Sequence, residues 1–317
     1  MKKVLTMTLN PCIDRTVYME SFEVGATNIV KKVIEEAAGK GINVAIGLNH
    51  LQVPVKALGF AYREDKDKLY GKLDAEQIPY SFVEVEGRLR VNQKFFDESK
   101  FQMTECNEKG MPITGEDVNK LLKMLEQELT EASLLVLSGS VPPGVNKDIY
   151  AVMTNMANKA GVKVVLDASG DLLAEGVKAG PYLIKPNRDE FEKTFMEEND
   201  EVSEFGMEEK ARQLIAQGIA YICLSMGADG AMLWSKLSSA ENSTSSLIKE
   251  RRTAIPVPIR SLQGAGDAMV AGLCKAIYAD EEDKMLDYAL AMAASTIMLE
   301  GTQMGDMTES INSSISQ

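Results

Sequence analysis

The chain has 317 residues, of which 45% are hydrophobic and 26% charged, a composition typical of a globular protein with one large domain or two. Its 34 basic and 47 acidic side chains give a formal net charge of −13. This charge argues against general binding to nucleic acid or to an anionic membrane surface. An anionic substrate would therefore need basic residues placed locally.

The cysteines and the first residues predict a cytoplasmic protein. The four cysteines are far apart and form no C-x-x-C pair, so we expect reduced thiols and neither a zinc site nor a redox motif. Residues 1–9 combine two lysines with a short, threonine-interrupted apolar run, which predicts a first β-strand and not a signal peptide. No stretch approaches the roughly 18 apolar residues of a membrane span. The single histidine, His50, excludes mechanisms that need two.

In chain order, short β-rich runs alternate with amphipathic helical patterns. We predict strands at 3–9, 55–59, 133–138, 163–167, 182–185, 221–225 and 231–234, and helices at about 43–51, 65–76, 115–130, 147–160, 207–217, 265–278 and 283–299. Several strands are almost entirely apolar, as expected for a parallel sheet covered by helices on both faces. The alternation predicts a doubly wound α/β fold, in which ligands gather at the carboxyl ends of the strands.

Two segments break this alternation. Residues 13–30 and 80–105 contain strand-like runs without intervening helices. In the second segment, a period of two places Arg88, Arg90 and Asn92 on one face and Leu89 and Val91 on the other. We interpret both segments as a small β-sheet that projects from the main sheet. Its apolar face needs a cover, which a role as a lid or a dimer contact would provide.

A glycine turn at Gly264 and Gly266 runs directly into the helical pattern at 265–278. Backbone N–H groups at a helix start are unpaired and lie at the positive end of the helix dipole, which favours a bound anion. Asp267 lies where that anion would bind. The turn is therefore either an anion cradle with a built-in base or a glycine turn followed by a capping aspartate.

A second glycine turn, at Gly39 and Gly41, opens another helical pattern and contains Lys40, a point charge for an anionic group. It is not a Walker A loop, because the first glycine and the Ser/Thr after the lysine are missing. Asp14 follows the first strand. Its carboxylate either accepts hydrogen bonds from two sugar hydroxyls or caps a turn.

Three further turns follow strands. Ser138 begins a tight turn at the end of one strand, and Asn187 and Glu190 lie three residues apart at a helix start. The latter pair either holds hydrated Mg²⁺ through oxygen ligands or forms a capping box. The turn from Ser225 to Gly230 joins two strands and offers backbone amides to a nucleotide.

The motifs occur in the order N-P-x-x-D, G-K-G-x-N, R-x-N, S-G-S-x-P-x-G, K-P-N-x-x-E, S-x-G-x-x-G and G-A-G-D. This order resembles the PfkB (ribokinase-like) carbohydrate kinase family over residues 3–305, and most closely its 1-phosphofructokinase and tagatose-6-phosphate kinase branch. The resemblance implies a single ribokinase-like α/β domain over 1–317 with a small β-sheet lid, often used for homodimerisation. It also implies transfer of the γ-phosphoryl group of ATP to a sugar hydroxyl, with Mg²⁺ as cofactor.

The resemblance also implies roles for individual residues. Asp267 would be the general base, and the backbone amides of Gly264, Ala265 and Gly266 would form the anion hole. Mg²⁺ would be held, through water, by Asn187 and Glu190. The sugar phosphate would be bound by Asp14, Gly39, Lys40, Asn43, Arg90, Asn92 and Ser138, and ATP by Lys185, Asn187, Ser225, Gly227 and Gly230.

Departures from the family pattern collect on the sugar side. Ala38 replaces a glycine, Ile29 an arginine, Leu89 a threonine, and Gln263 a small β-branched residue before the glycine turn. We expect fructose 1-phosphate as acceptor, giving fructose 1,6-bisphosphate; tagatose 6-phosphate, fructose 6-phosphate and a diverged, non-catalytic binder are the alternatives. A Rossmann dehydrogenase is excluded, because no G-x-G-x-x-G follows the first strand.

Overall fold

The computed structural model describes residues 2–197, 203–236 and 247–307. Its strands are β1 (Lys3–Thr8), β2 (Cys12–Met19), β3 (Val30–Ala38), β4 (Val55–Tyr62), β5 (Tyr80–Val85), β6 (Arg90–Asp97), β7 (Gln102–Asn107), β8 (Ala132–Ser138), β9 (Lys163–Asp167), β10 (Leu183–Ile184), β11 (Tyr221–Ser225), β12 (Ala231–Lys236) and β13 (Leu247–Arg252). Its helices are α1 (Lys40–His50), α2 (Lys66–Ala75), α3 (Gly115–Glu128), α4 (Ile149–Lys159), α5 (Asp171–Gly176), α6 (Arg188–Phe195), α7 (Glu204–Ala216), α8 (Ala265–Tyr278) and α9 (Met285–Ile297).

Within these residues, nine strands form a large sheet in the order β13-β12-β11-β10-β9-β8-β1-β4-β5. The neighbours from β11 to β5 are parallel, whereas β12 and β13 are antiparallel. In β1, Val4, Leu5 and Met7 are fully buried, as expected for a strand covered on both faces. The predicted doubly wound, mostly parallel α/β fold is confirmed.

Two groups of helices pack on the large sheet. One group is α1 with α8 and α9, and the other is α3 with α4 and α5. Helices α8 and α9 approach closely at Gly272, where an added Cβ would lie 2.4 Å from the carbonyl oxygen of Tyr288. No helix in the described ranges is both long and apolar enough to cross a membrane.

A separate four-stranded sheet, in the order β3-β2-β6-β7, forms the lid. Strands β2 and β6 are parallel, with Asp14 opposite Asn92. The lid segments differ from the predicted 13–30 and 80–105. Strand β3 continues to Ala38, and residues 80–85 pair with β4 in the large sheet. The second difference is a matter of tertiary pairing: Tyr80 lies opposite Ala57 of β4 and also stacks on Tyr70 of α2.

The close approach of α8 and α9 predicts opposite effects for two glycine substitutions. Gly272→Ala should lower the free energy of unfolding by about 1–3 kcal/mol, because the new methyl group would overlap the backbone of α9. Gly71→Ala is the matched control: Gly71 lies on an exposed part of α2 with nothing near its Cβ position, so the change should add about 0.5–1 kcal/mol. Urea denaturation of both variants measures the effects. Equal stability of the two variants would contradict the packing argument.

Candidate active site

A buried carboxylate shared by two lysines lies at the carboxyl ends of the central strands. Asp167 ends β9 and is 1% exposed. Its Oδ1 lies 3.1 Å from Lys185 Nζ, and its Oδ2 lies 3.1 Å from Lys40 Nζ. Burial works to raise the pKa of Asp167, but the two ammonium groups outweigh it and hold that pKa below its ordinary value. Asp167 is therefore ionised at neutral pH.

Lys40 is the first residue of α1, and its side chain is the exposed member of this cluster. The charge of Asp167 raises the pKa of Lys40 above its ordinary value, against the effect of burial, and Asp267 and Glu190 contribute in the same direction. Lys40 therefore keeps its positive charge.

Asp267 is the third residue of α8 and is buried. Its Oδ2 accepts a 2.8 Å hydrogen bond from Asn43 Nδ2 on α1. Burial raises the pKa of Asp267 from 3.8 to about 6; Lys40 acts against this increase and Asp167 adds to it. A carboxylate with such a pKa is suited to accept a proton near neutral pH.

The glycine turn before Asp267 leaves backbone donors open. Gly264 has a φ of 76° and is the N-cap of α8, a helix that lies wholly within the described residues and has no side-chain cap. The first N–H groups of a helix lack intrahelical acceptors. Lys185 Nζ lies 3.7 Å from the position that a Cβ on Gly266 would occupy. The turn thus combines open amides with a nearby cation, whereas the alternative of a capping Asp267 is wrong.

On the lid, the predicted sugar ligands form one hydrogen-bonded cluster. Asp14 Oδ1 accepts a 2.9 Å hydrogen bond from Asn92 Nδ2, and Asp14 Oδ2 lies 2.7 Å from Lys94 Nζ. Arg90 Nη1 donates to Asn92 Oδ1 at 2.8 Å, and Arg90 Nε donates to the carbonyl of Asn10 at 3.2 Å. Asp14 lies inside strand β2, so the alternative of a turn cap is wrong.

Several buried polar atoms around the cleft have no partner among the described residues. They are Oδ1 of Asn43, Oδ1 of Asn10, Oγ of Ser138 and Oγ1 of Thr8. Ser138 ends β8, and an added Cβ on Gly41 would lie 2.5 Å from Thr8 Oγ1. Buried polar groups are normally satisfied, and these four atoms have almost no accessible surface, so a ligand would reach them only after a local rearrangement.

At the start of α6, Asn187 and Glu190 form a capping box. Asn187 Oδ1 accepts from the Glu190 amide at 2.8 Å, and Glu190 Oε2 accepts from the Asn187 amide at 2.9 Å. Among the described residues, no group of three or more acidic, histidine or cysteine side chains is placed to hold a metal ion. The cap uses one carboxylate oxygen of Glu190, which fits a Mg²⁺ ion that keeps most of its waters.

A cavity of about 280 Å³ lies beside this capping box. It is lined by Asn187, Arg188, Asp189, Glu204, Met207, Ser225, Met226, Gly227, Asp229, Met232 and Arg251. Two predicted ATP ligands lie elsewhere: Lys185 is paired with Asp167, and Gly230, with a φ of 88°, packs against the Arg252 carbonyl. A Cβ on Gly230 would lie 2.0 Å from that oxygen, so this glycine is required for packing.

The sequence analysis missed two charged residues of the site. Asp167 is the single charged side chain at the carboxyl end of the Val-Val-Leu-Asp run in β9, a position where ligand-binding residues collect. Lys94 continues the period-two face of Arg90 and Asn92. Both positions can be read from the sequence, but they point to a site only once the fold places these strands beside their partners.

Residues 7–309 match the profile described as pfkB family carbohydrate kinase. The chain belongs to the PfkB family. It is 30% identical over 310 residues to the 1-phosphofructokinase of Vibrio cholerae serotype O1, covering 96% of this chain and 92% of the relative. It is 32% identical over 297 residues to the 1-phosphofructokinase of Escherichia coli K12, covering 93% and 91%.

Solved structures agree on the fold. Phosphofructokinase-2 from Escherichia coli, solved in complex with potassium, superposes with a TM-score of 0.88 over 100% of both chains at 24% identity. Membership of the PfkB family makes the protein a carbohydrate kinase and implies the use of ATP. The roles of the individual site residues stay predictions.

The raised pKa of Asp267 predicts that this residue destabilises the fold at neutral pH. The native state holds the proton more tightly than the unfolded chain, so stability falls as the pH rises from about 4 to about 6. Asp267→Asn removes that effect and should add about 3 kcal/mol to the free energy of unfolding at neutral pH. The gain should disappear under acid conditions, where the wild-type carboxyl is protonated.

Asp97→Asn is the control of opposite sign. Hydrogen bonds from Ser99, Phe22 and Lys100 hold the pKa of Asp97 well below its ordinary value. Its contribution to stability is therefore present at neutral pH and lost in acid, so Asp97→Asn should destabilise the protein at neutral pH. Thermal melts across the acid range measure both variants. A loss of stability in Asp267→Asn at neutral pH would contradict the assigned pKa shift.

Proposed function

We propose that the protein transfers the γ-phosphoryl group of ATP to fructose 1-phosphate and so forms fructose 1,6-bisphosphate. The observation that carries the proposal is the buried Asp267, oriented by Asn43 and placed directly after a cation-backed glycine turn. Further support comes from the curated relatives, which are 1-phosphofructokinases and align with nearly the whole chain. Tagatose 6-phosphate and fructose 6-phosphate are the alternative acceptors.

Each part of the cleft has one task in this reaction. Asp267 takes the proton from the 6-hydroxyl of the acceptor as that oxygen attacks phosphorus, and Asn43 holds the carboxylate in position. The backbone amides of Gly264, Ala265 and Gly266 receive the negative charge on the transferred phosphoryl group. Phosphoryl transfer depends mainly on positioning and charge neutralisation, so these groups suffice without a covalent intermediate.

The acceptor binds between the lid and the large sheet. Asp14, Gly39 and Asn43 hold its hydroxyl groups, and Ser138 lies beside them with an unpartnered hydroxyl. Lys40, Arg90 and Asn92 neutralise its phosphate, which gives a strongly acidic chain a local basic site.

Mg²⁺ completes the site on the nucleotide side. Glu190 and Asn187 would hold it through water molecules, and Ser225, Gly227 and Gly230 would shape the loop around ATP, with Lys185 behind the glycine turn. When bound, the ion neutralises charge on the phosphates of ATP.

We further propose that the chain works as one ribokinase-like domain that dimerises through the lid. The lid carries large apolar side chains that are exposed in the single chain, among them Ile29, Val33 and Phe101. Exposed apolar side chains on a sheet are common where a partner covers it. We place the enzyme in the cytoplasm, where the four unpaired cysteines stay reduced.

The acceptor is tested directly by ADP release with fructose 1-phosphate, tagatose 6-phosphate and fructose 6-phosphate. We expect the highest kcat/KM with fructose 1-phosphate. A higher value with either of the other sugars would identify that sugar as the acceptor. If the protein binds one of these sugars but releases no ADP with any of them, it is a non-catalytic binder and the proposal fails.

The base is tested by substitution and by pH. Asp267→Asn should lower kcat by about a thousandfold, because no other group would accept the proton, while ATP binding is retained. In the wild type, kcat/KM, which reports the pKa values of the free enzyme, should fall tenfold per pH unit below about 6, as Asp267 becomes protonated. Asp171→Asn removes an exposed carboxylate at the start of α5 and serves as the charge control. Nearly normal turnover in Asp267→Asn would rule out this base.

The dimer is tested by introducing charge into the exposed lid face. Val33→Glu should convert the dimer to a monomer in analytical ultracentrifugation, since a buried unpaired carboxylate opposes association. Val152→Glu, on the exposed side of α4, should leave the mass unchanged. A monomeric wild type, or a Val33→Glu variant that stays dimeric, would contradict the lid interface.

A further inference from the structure

One buried lysine links the lid to the glycine turn, and the proposed reaction gives it no task. Lys94 on β6 is 6% exposed. Its Nζ lies 2.7 Å from Asp14 Oδ2 and 2.8 Å from Gln263 Oε1. Asp14 and Lys94 belong to the lid, whereas Gln263 directly precedes Gly264 on the other side of the cleft. A single ammonium group therefore spans the two parts between which the substrates bind.

We propose that Gln263, acting through Lys94, is a positioning residue that fixes the acceptor sugar relative to the transferred phosphoryl group. The inference rests on the proposed function, in which Asp14 holds sugar hydroxyls and Gly264 begins the anion hole. Lys94 bonds to Asp14 and to Gln263 at once. It therefore fixes the distance between the carboxylate proposed to hold the sugar and the turn that begins at Gly264. In-line transfer is sensitive to small errors in that separation.

The chemistry of the contact explains why glutamine is suited to this position. A buried ammonium group needs its N–H donors satisfied, and Asp14 alone occupies only part of them. The amide oxygen of Gln263 accepts a second hydrogen bond without adding negative charge beside a site for anions. The small β-branched residue that is usual before this turn has no amide oxygen to offer. The hydrogen bond between Lys94 and Gln263 therefore depends on the residue at which this chain departs from the family pattern.

The structure contains a matched control contact. Thr302 Oγ1 donates a 2.9 Å hydrogen bond to Glu36 Oε2 on β3. This contact also joins the lid to a segment outside it, and Glu36 lies opposite Asp14 in the lid sheet, but the Thr302–Glu36 hydrogen bond involves neither Asp14 nor Gln263. A general loosening of the lid should affect both contacts alike, whereas positioning of the sugar should depend only on the Gln263 contact.

The test compares Gln263→Leu with Thr302→Val. The dissociation constant of fructose 1-phosphate is measured by calorimetry without nucleotide, and KM is measured for both substrates. Gln263→Leu should weaken sugar-phosphate binding about tenfold, which corresponds to about 1.4 kcal/mol. The KM for ATP should stay the same, and Thr302→Val should change neither quantity. Unchanged binding in Gln263→Leu, or equal weakening in Thr302→Val, would overturn the inference.

A double-mutant cycle with Lys94→Met tests whether Gln263 acts through the lysine. We expect Lys94→Met and the double variant Lys94→Met/Gln263→Leu to bind the sugar phosphate equally weakly, because the second change removes a contact already lost. Fully additive losses would reject the bridge. If Lys94→Met does not fold, the comparison of Gln263→Leu with Thr302→Val still decides.

Failure of the proposed function gives a different result. If the wild type binds fructose 1-phosphate but does not phosphorylate it, the kinase function is rejected while the binding comparison still decides the role of Gln263. If the wild type binds none of the three sugar phosphates, both proposals are rejected.

Discussion

The carboxylate of Asp167 holds together the parts of the site that the chain contributes separately. One of its oxygens pairs with Lys40 at the start of α1, and the other pairs with Lys185 after β10. Without this carboxylate, two ammonium groups would lie close together in a largely buried cleft, which is strongly unfavourable. The same carboxylate raises the pKa of Asp267, while Lys40 and Lys185 lower it. The pKa of the proposed base is therefore raised mainly by burial, and the charges of Asp167, Lys40 and Lys185 adjust it.

Glycines allow the helix starts to reach this triad. Gly41 has no room for a side chain beside the Met7 carbonyl, and Gly264 adopts the left-handed conformation that turns the chain into α8. Both helix N-termini thereby point at the carboxyl ends of the central strands. The arrangement opposes stability, since Asp267 is buried with a raised pKa. Such a group is tolerated because the large buried core of the doubly wound sheet provides stability from elsewhere.

The local pattern predicts most of the large sheet, because its strands are short apolar runs between amphipathic helices. It predicts only the start of α6, from Asn187 and Glu190, and it does not predict strand β13. It places 80–85 in the wrong sheet, because alternation does not tell which neighbour a strand has. The resemblance assigns Asp267 and Asn43 roles, but their 2.8 Å contact joins residues far apart in the chain. Asp167 and Lys94 escape notice because their partners are recognised only after folding.

The departures from the family pattern differ in how closely they bear on the acceptor. Leu89 and Ala38 are each 1% exposed and pack in the protein interior, while Ile29 is 77% exposed on the lid. Gln263, in contrast, shares Lys94 with Asp14, the carboxylate proposed to bind sugar hydroxyls. A side chain alters acceptor choice most directly through groups that contact the acceptor or fix such a contact. On that ground, Gln263 is the departure with the shortest physical route to acceptor choice. Ala38 and Leu89 act through packing in the interior, whereas the exposed Ile29 makes no such contact within the described part of the chain.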